Sequence, residues 1–376
     1  MARGCTVVLA IVLLGCAAPA AAAPQAPAAE QKIAPGEALY RAACVTCHGP
    51  DGKGSPRPLV GFDVALPDFT DCSFASAEAD ADWFAVIHEG GPVRGLDRHM
   101  PAFGSALTPN DIALAANHVR TFCTEPAWPR GDLNLPRAMF TEKAFPENEA
   151  LWVTRISRGP ESSIGNDLIY ERRIGARTQV EIVAPIDFQQ GAEGSWTRGL
   201  GDVALAVKRT LHASHERGRI VSGGLEVVVP TGEDTVGLGN GVTVFEPFAM
   251  WGQVLPGGAF LQMHGGAELP ADTNKKSREL FLRTALGMTY ATDRGFGRAW
   301  SPQVELLWAR PEGGPNGGEA EWDVVPQLQV TLSKLQHVAL AAGFRIPLTE
   351  RAERRTQFVA YLLWDWFDGS FLEFWR

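Results

Sequence analysis

The run Cys44-Val45-Thr46-Cys47-His48 constrains this chain more tightly than any other stretch. Two thiols three positions apart can each add across one vinyl group of a haem, and the histidine that follows is then held against the iron as an axial ligand. The spacing therefore calls for one covalent haem c with its iron, an oxidising compartment and one-electron chemistry. A structural zinc would need a second pair of ligands, and the other cysteines are scattered singles. The net charge of −9, with no basic cluster, gives no nucleic-acid partner.

The N-terminus agrees with that compartment. Arg3 is the only charge ahead of an apolar run over residues 6–14, and small residues follow through Ala23. Residues 1–23 read as a secretory signal peptide, since the run is shorter than the ~20 residues a membrane span needs. Cleavage fits Ala20-Ala21-Ala22. It also fits a lipobox, Leu13-Leu14-Gly15-Cys16, which would leave Cys16 lipidated. Residues 24–35 form an Ala- and Pro-rich tether. With Cys5 and Cys16 assigned to the signal and Cys44 and Cys47 to the haem, Cys72 and Cys123 remain. They can pair in an oxidising periplasm or stay as buried thiols.

Residues 36–125 make a small all-α domain. Leu39, Tyr40 and Ala43 fall at helical spacing just before Cys44, and the turn-rich run Gly49-Pro50-Asp51-Gly52-Lys53-Gly54 lets the backbone pass close to a flat macrocycle. Met100, in His99-Met100-Pro101-Ala102-Phe103, is the leading sixth ligand, because the proline stiffens a strap from which a thioether can point at iron. His88, His99 and Met139 are the alternatives. Ligation by His48 and Met100 leaves no open position on the iron, which points to a non-catalytic electron carrier. A closing helix is marked by Thr108 as N-cap, Pro109 at its first position, Asp111 at its third, and a face of Ile112, Ala115, Ala116, Val119 and Phe122.

Taken together, the helix, Cys44-x-x-Cys47-His48-Gly49-x-Asp51-Gly52-x-Gly54, Met100-Pro101-x-Phe103 and the closing helix resemble a class I cytochrome c over about a quarter of the chain. The resemblance implies Cys44 and Cys47 as thioether partners and His48 and Met100 as axial ligands. Between Glu30 and Asp132 the acidic side chains outnumber the basic ones 14 to 8, so a basic-faced periplasmic redox protein is the expected partner.

Residues 126–150, with Pro126, Pro129, Pro136 and Pro146, read as a linker laid over a surface, with Phe140 and Phe145 available to dock it. From residue 151 to 376 the texture changes to alternation of period two, as in Val203–Leu211, Leu280–Met288 and the set Phe358, Ala360, Leu362, Trp364, Trp366. One face is large and apolar and the other small or polar, which marks strands. About twelve strands of membrane-spanning length fit. Nine of the eleven tryptophans lie here, among them Trp251, Trp300 and Trp308, as aromatic girdles require. The small face, at Ala204, Ala206, Ala285 and Gly287, suits a barrel lumen, and no repeat of propeller-blade length is present. The histidines His212, His215, His264 and His337 are scattered and read as satisfied surface or lumen residues. The expected fold is thus an all-α cytochrome c domain followed by an antiparallel transmembrane β-barrel in outer-membrane lipid.

Gly199-Leu200-Gly201-Asp202 and Pro230-Thr231-Gly232-Glu233 resemble the outer-membrane barrels associated with phenol-degradation operons, and the aromatic run Phe371-Leu372-Glu373-Phe374-Trp375 resembles a barrel-assembly signal. The whole architecture resembles bacterial cytochrome–porin fusions. That resemblance implies electron transfer at the outer membrane, with a haem close to or inside the barrel. The fuller cytochrome domain and the proline-rich connector depart from it and place the haem domain on the periplasmic side, where both termini of such a barrel lie. The alternative is a channel for a small apolar or aromatic solute with an accessory cytochrome.

Overall fold

The computed structural model describes residues 35–159, 162–191, 194–291, 297–313, 318–351 and 354–365. The signal-peptide, lipobox and tether readings of residues 1–34, and the aromatic run at 371–375, lie outside them.

The helical part is assembled around two crossing helices. The first, α1 (Pro35–Ala43), opens on a proline and carries a Glu37–Arg41 pair at 2.7 Å. Its one-turn successor α2 (Val45–His48) contains Cys47 and His48, and the next short turns are α3 (Arg57–Val60) and α4 (Cys72–Ala75). A longer helix, α5 (Asp80–Glu89), precedes α6 (Pro109–Arg120). Thr108 and Asp111 close a reciprocal capping box at the start of α6, and Ile112, Ala115, Ala116 and Val119 are buried. The helices α1 and α6 meet at Gly36, where a Cβ would stand 2.3 Å from the Leu114 carbonyl oxygen; only glycine allows that approach. Cys72 and Cys123 form a disulfide that ties α4 to the end of α6.

The second part is a closed antiparallel sheet. Its strands are β1 (Glu149–Ser157), β2 (Ser163–Ile174), β3 (Thr178–Gln190), β4 (Trp196–Leu200), β5 (Val203–Ser214), β6 (Arg219–Val229), β7 (Val244–Val254), β8 (Ala259–Pro270), β9 (Arg278–Met288), β10 (Tyr290–Ala291), β11 (Ala299–Glu312), β12 (Glu321–Thr331), β13 (Val338–Pro347) and β14 (Gln357–Asp365). Successive strands pair except β4 with β5 and β9 with β10, and β1 pairs with β14 from Glu149↔Asp365 to Ser157↔Gln357, closing the ring. Because β4 and β5 run along the same partner β3, and β9 and β10 along β11, the described residues form a barrel of twelve staves.

The alternation is inside out for a water-soluble protein. Along β11, Ser301, Gln303 and Glu305 are buried while Val304 and Leu306 are exposed. The same holds on β5, where Lys208 and Thr210 face in and Leu205, Val207 and Leu211 face out. Polar groups inside and a continuous apolar exterior are what a barrel in lipid requires. Trp152, Trp196, Trp300 and Trp322 are exposed near strand ends; Trp308 lies further inside β11, opposite Trp322. The two motifs around Gly201 and Gly232 fold against each other: Asp202 accepts from the backbone of Gly232 at 3.0 Å and of Asn240 at 2.6 Å.

Residues 131–148 are not a surface linker. Leu133, Thr141, Lys143, Ala144, Phe145 and Glu147 are all buried, because the segment is threaded into the lumen. Lumen-facing side chains meet its backbone from many sides: Gln262 donates to the Pro136 carbonyl, Gln303 and Tyr361 to that of Arg137, Lys208 to that of Lys143 and Ser222 to that of Ala144. Phe145 packs with Leu133, Ile220 and Met250, while Met139 and Phe140 pack on Leu151, Ala341, Val359, Tyr361 and Leu363. The prolines that suggested a surface strap keep this strand-free chain extended. Its unpaired backbone groups are satisfied by the barrel wall instead of water.

Candidate functional site

The helical part holds a cavity of about 530 Å³, and the four residues singled out from the sequence all line it: Cys44, Cys47, His48 and Met100. Two features place them. On one side, α1 runs into Cys44, whose carbonyl accepts from His48 N at 2.9 Å, so α2 presents Cys47 and His48 one turn on. Tyr40, buried beneath, donates its hydroxyl to the Gly49 carbonyl at 2.7 Å and fixes the exit of the motif. On the other side, the strap carrying Met100 is sewn to the end of α5. Gly91 N donates to Met100 O at 3.0 Å, Phe103 N to Ile87 O at 3.0 Å, and Gly104 N to His88 O at 2.9 Å. Gly91 is required there, since a Cβ would sit 2.3 Å from the Asp97 carbonyl oxygen.

The walls between are Leu66, Pro67, Phe69, Trp83, Val86, Ile87, Phe103 and Val119, an apolar lining suited to a flat macrocycle. Phe69 stacks on the His48 ring at 4.9 Å between centroids. Burial holds the His48 imidazole below its ordinary pKa, so a neutral ring with a free lone pair faces the cavity. Burial pushes the Cys44 thiol up to about 11, with Cys47 adding to it. Cys44 and Cys47 are free thiols although Cys72 and Cys123 are bonded. A close-packed protein interior leaves few voids of this size. Two free thiols, a neutral imidazole and a thioether on its wall fit a covalently attached haem.

The alternatives to Met100 are placed differently. His88 pairs with Glu89 at 2.9 Å and is not on the cavity wall. His99 reaches the rim but is bound to Asp97 at 2.6 Å and stacked on Phe62. Met139 lies in the barrel lumen, where its N–H donates to Glu305, and is no candidate for the iron. Sequence reasoning missed the barrel's share of the site. Leu335 and His337, on the turn between β12 and β13, complete the cavity wall beside Glu78, Asp82 and Arg94. His337 Nε2 meets Glu78 at 2.9 Å, and Gln336 reaches Asp82 at 3.4 Å. A second barrel turn brings His215 to 3.5 Å from Asp132 and 3.8 Å from Asp80. His264, by contrast, is a lumen residue held edge-on between Phe248 and Phe281.

Residues 31–119 match the family described as cytochrome c oxidase, cbb3-type, subunit III. This segment is a cytochrome c-type domain. It is fused to the closed twelve-stave β-barrel. Among solved structures, an outer-membrane channel from Pseudomonas putida F1 is similar at 12% identity, covering 61% of this chain and 99% of the channel, with a TM-score of 0.43. The KdgM porin is similar at 6% identity, covering 58% and 99%, with a TM-score of 0.39. A c-type cytochrome is similar at 29% identity, covering 24% of this chain and 98% of its own, with a TM-score of 0.20. No curated protein matches the chain.

Proposed function

We propose that this protein carries single electrons at the bacterial outer membrane through one covalent haem, attached at Cys44 and Cys47 and ligated by His48 and Met100. The observation that carries the proposal is the convergence of these four residues, from two separate parts of the helical domain, on one apolar cavity. Bound there, a haem supplies one-electron chemistry; the chain supplies the rest. Tyr40 and Phe69 hold His48, and the bonds of the strap to α5 hold Met100. Held by His48 and Met100 together, the haem would have no position left for a substrate, which supports a carrier over an enzyme.

The barrel supports the same reading. The cytochrome domain contacts the turns after β5 and β12, through Asp80 to His215 and Glu78 to His337, and the chain that follows it meets the turn after β2 at Arg177. The turns after β2 and β5 are short, and β1 begins at the same end of the barrel. In outer-membrane barrels that end faces the periplasm, so we place the cytochrome domain there, available to a basic-faced redox protein. A solute channel is the second reading, and the segment 131–148, which is buried among lumen-facing side chains, weighs against it.

The test is spectroscopic and electrochemical. The membrane-extracted protein is expected to show c-type haem that stays with the polypeptide under denaturation, and to exchange electrons with soluble one-electron reagents. Haem that extracts freely into acid solvent, or a Cys44→Ala, Cys47→Ala variant that still retains haem covalently, would sink the proposal.

A further inference from the structure

We propose that the partly buried group where the haem cavity meets the barrel, Glu78, Asp82, Arg94 and His337, takes up one proton from periplasmic water for each electron the domain accepts from a one-electron donor. Electron transfer is then coupled to protonation, and a barrel turn takes part in it. The inference rests on the reading of the cavity as a haem site.

Three elements converge to build this group. Glu78 lies just ahead of α5 and Asp82 in its first turn; Arg94 comes from the turn leading to the Met100 strap; His337 comes from the barrel turn between β12 and β13. All four line the cavity. Arg94 Nε holds Asp82 at 2.7 Å, His337 holds Glu78 at 2.9 Å, and the side chains of Arg94 and His337 are nearly inaccessible to solvent. Asp365, at the end of β14, also faces His337, donating its N–H to the His337 carbonyl at 2.7 Å. The cluster thus places two carboxylates, paired with a guanidinium and an imidazole, against the wall of the cavity.

Such an arrangement is poised between protonation states. Burial, and then the Glu78 carboxylate, raise Asp82 to about 6 against the pull of Arg94 and His337, which leaves it changing charge close to neutrality. The other carboxylate on the wall, Asp97, is held below the usual range by hydrogen bonds from His99 and stays ionised. Reduction removes one positive charge from the centre of the cavity. A carboxylate facing that centre loses an attraction and becomes a stronger base, so the electron entering the domain and the proton entering the cluster balance in charge.

The consequence is a reduction potential that depends on pH. In the full chain, held in detergent or lipid nanodiscs, spectroelectrochemical titration between about pH 5 and 8 should show the potential falling, over part of that range, by about 59 mV for each tenfold drop in proton concentration, the one-electron equivalent of a tenfold change in an equilibrium constant. Asp82→Asn should flatten the slope. His337→Gln removes a group that pulls Asp82 down and should move the sloping window to higher pH; it serves where Asp82→Asn fails to assemble. A flat wild-type potential overturns the inference, as does a slope undiminished in both Asp82→Asn and Glu78→Gln. A purified chain without c-type haem bands overturns instead the electron-transfer reading beneath it, and this inference with it.

Discussion

The Glu305 carboxylate, midway along β11, accepts the backbone N–H of Thr141 at 2.6 Å and the Thr141 hydroxyl at 2.7 Å. The N–H groups of Met139 and Phe140 point at the same carboxylate, and Gln327 donates to it from the next strand. One acidic side chain deep in the lumen thus anchors the turn of the threaded segment. Removing it leaves three N–H groups without this acceptor, and the buried one, on Thr141, alone costs about 1–3 kcal/mol.

That anchor makes the state of the lumen measurable. In planar bilayers the wild-type protein is expected to pass little current. Glu305→Ala should raise conductance intermittently, and deletion of residues 134–146 should raise it steadily and several-fold. A wild-type conductance already equal to that of the deletion would mean that the segment does not close the barrel.

Met100 can be separated from its neighbour His99 by colour. Met100→Ala should abolish the weak red-region absorption of a Met-ligated ferric haem and lower the reduction potential. His99→Ala should leave the band in place, since His99 is occupied by Asp97 and Phe62 at the rim. A band that survives Met100→Ala, measured on folded protein, would exclude Met100 from the iron.

The Cys72–Cys123 bond closes a loop across 51 positions, for which loop-closure entropy gives at most about 4 kcal/mol. Cys123→Ser should lower the denaturant midpoint of the helical domain by an amount within that bound. The barrel should keep its resistance to denaturing detergent until boiled. Loss of both together would show that the two parts unfold as one unit.

Much of this molecule is legible before folding because its local rules are strict. Haem attachment needs a fixed spacing, so Cys44–His48 is explicit in the sequence, and the capping residues Thr108 and Asp111 announce α6. The period of two over residues 151–376 announces strands, and the small face at Ala204 and Ala285 identifies the inside. The lumen segment was hidden because its partners are long-range: Arg137 meets Glu171, and Met139 meets Glu305. A trace of it existed in β14. There Val359, Tyr361 and Leu363 alternate with Phe358, Leu362 and Trp364, so both faces are apolar, as happens when both are covered. A water-filled lumen has no use for the inward set; the side chains of Met139 and Phe140 do. The part of the cavity wall that comes from Leu335 and His337 left no such trace, since a turn residue carries no periodicity.

The inside-out alternation gives the sharpest test of the membrane assignment. Leu306 and Gln303 lie on the same strand, but Leu306 is 43% exposed and Gln303 3%. If the exterior is bathed in lipid, Leu306→Arg places a charge in hydrocarbon and should cost about 2–4 kcal/mol. The same charge at a water-facing position would cost almost nothing, because surface substitutions stay within about 0.5 kcal/mol. Refolding into lipid vesicles, with the folded fraction read from the faster migration of unheated protein on a denaturing gel, separates these outcomes. A urea midpoint unchanged by Leu306→Arg would mean that water, not lipid, surrounds this barrel. A marked loss for Leu306→Arg, set beside a small loss for Glu319→Arg in the loop after β11, would fix the hydrocarbon band to the middle of the strand.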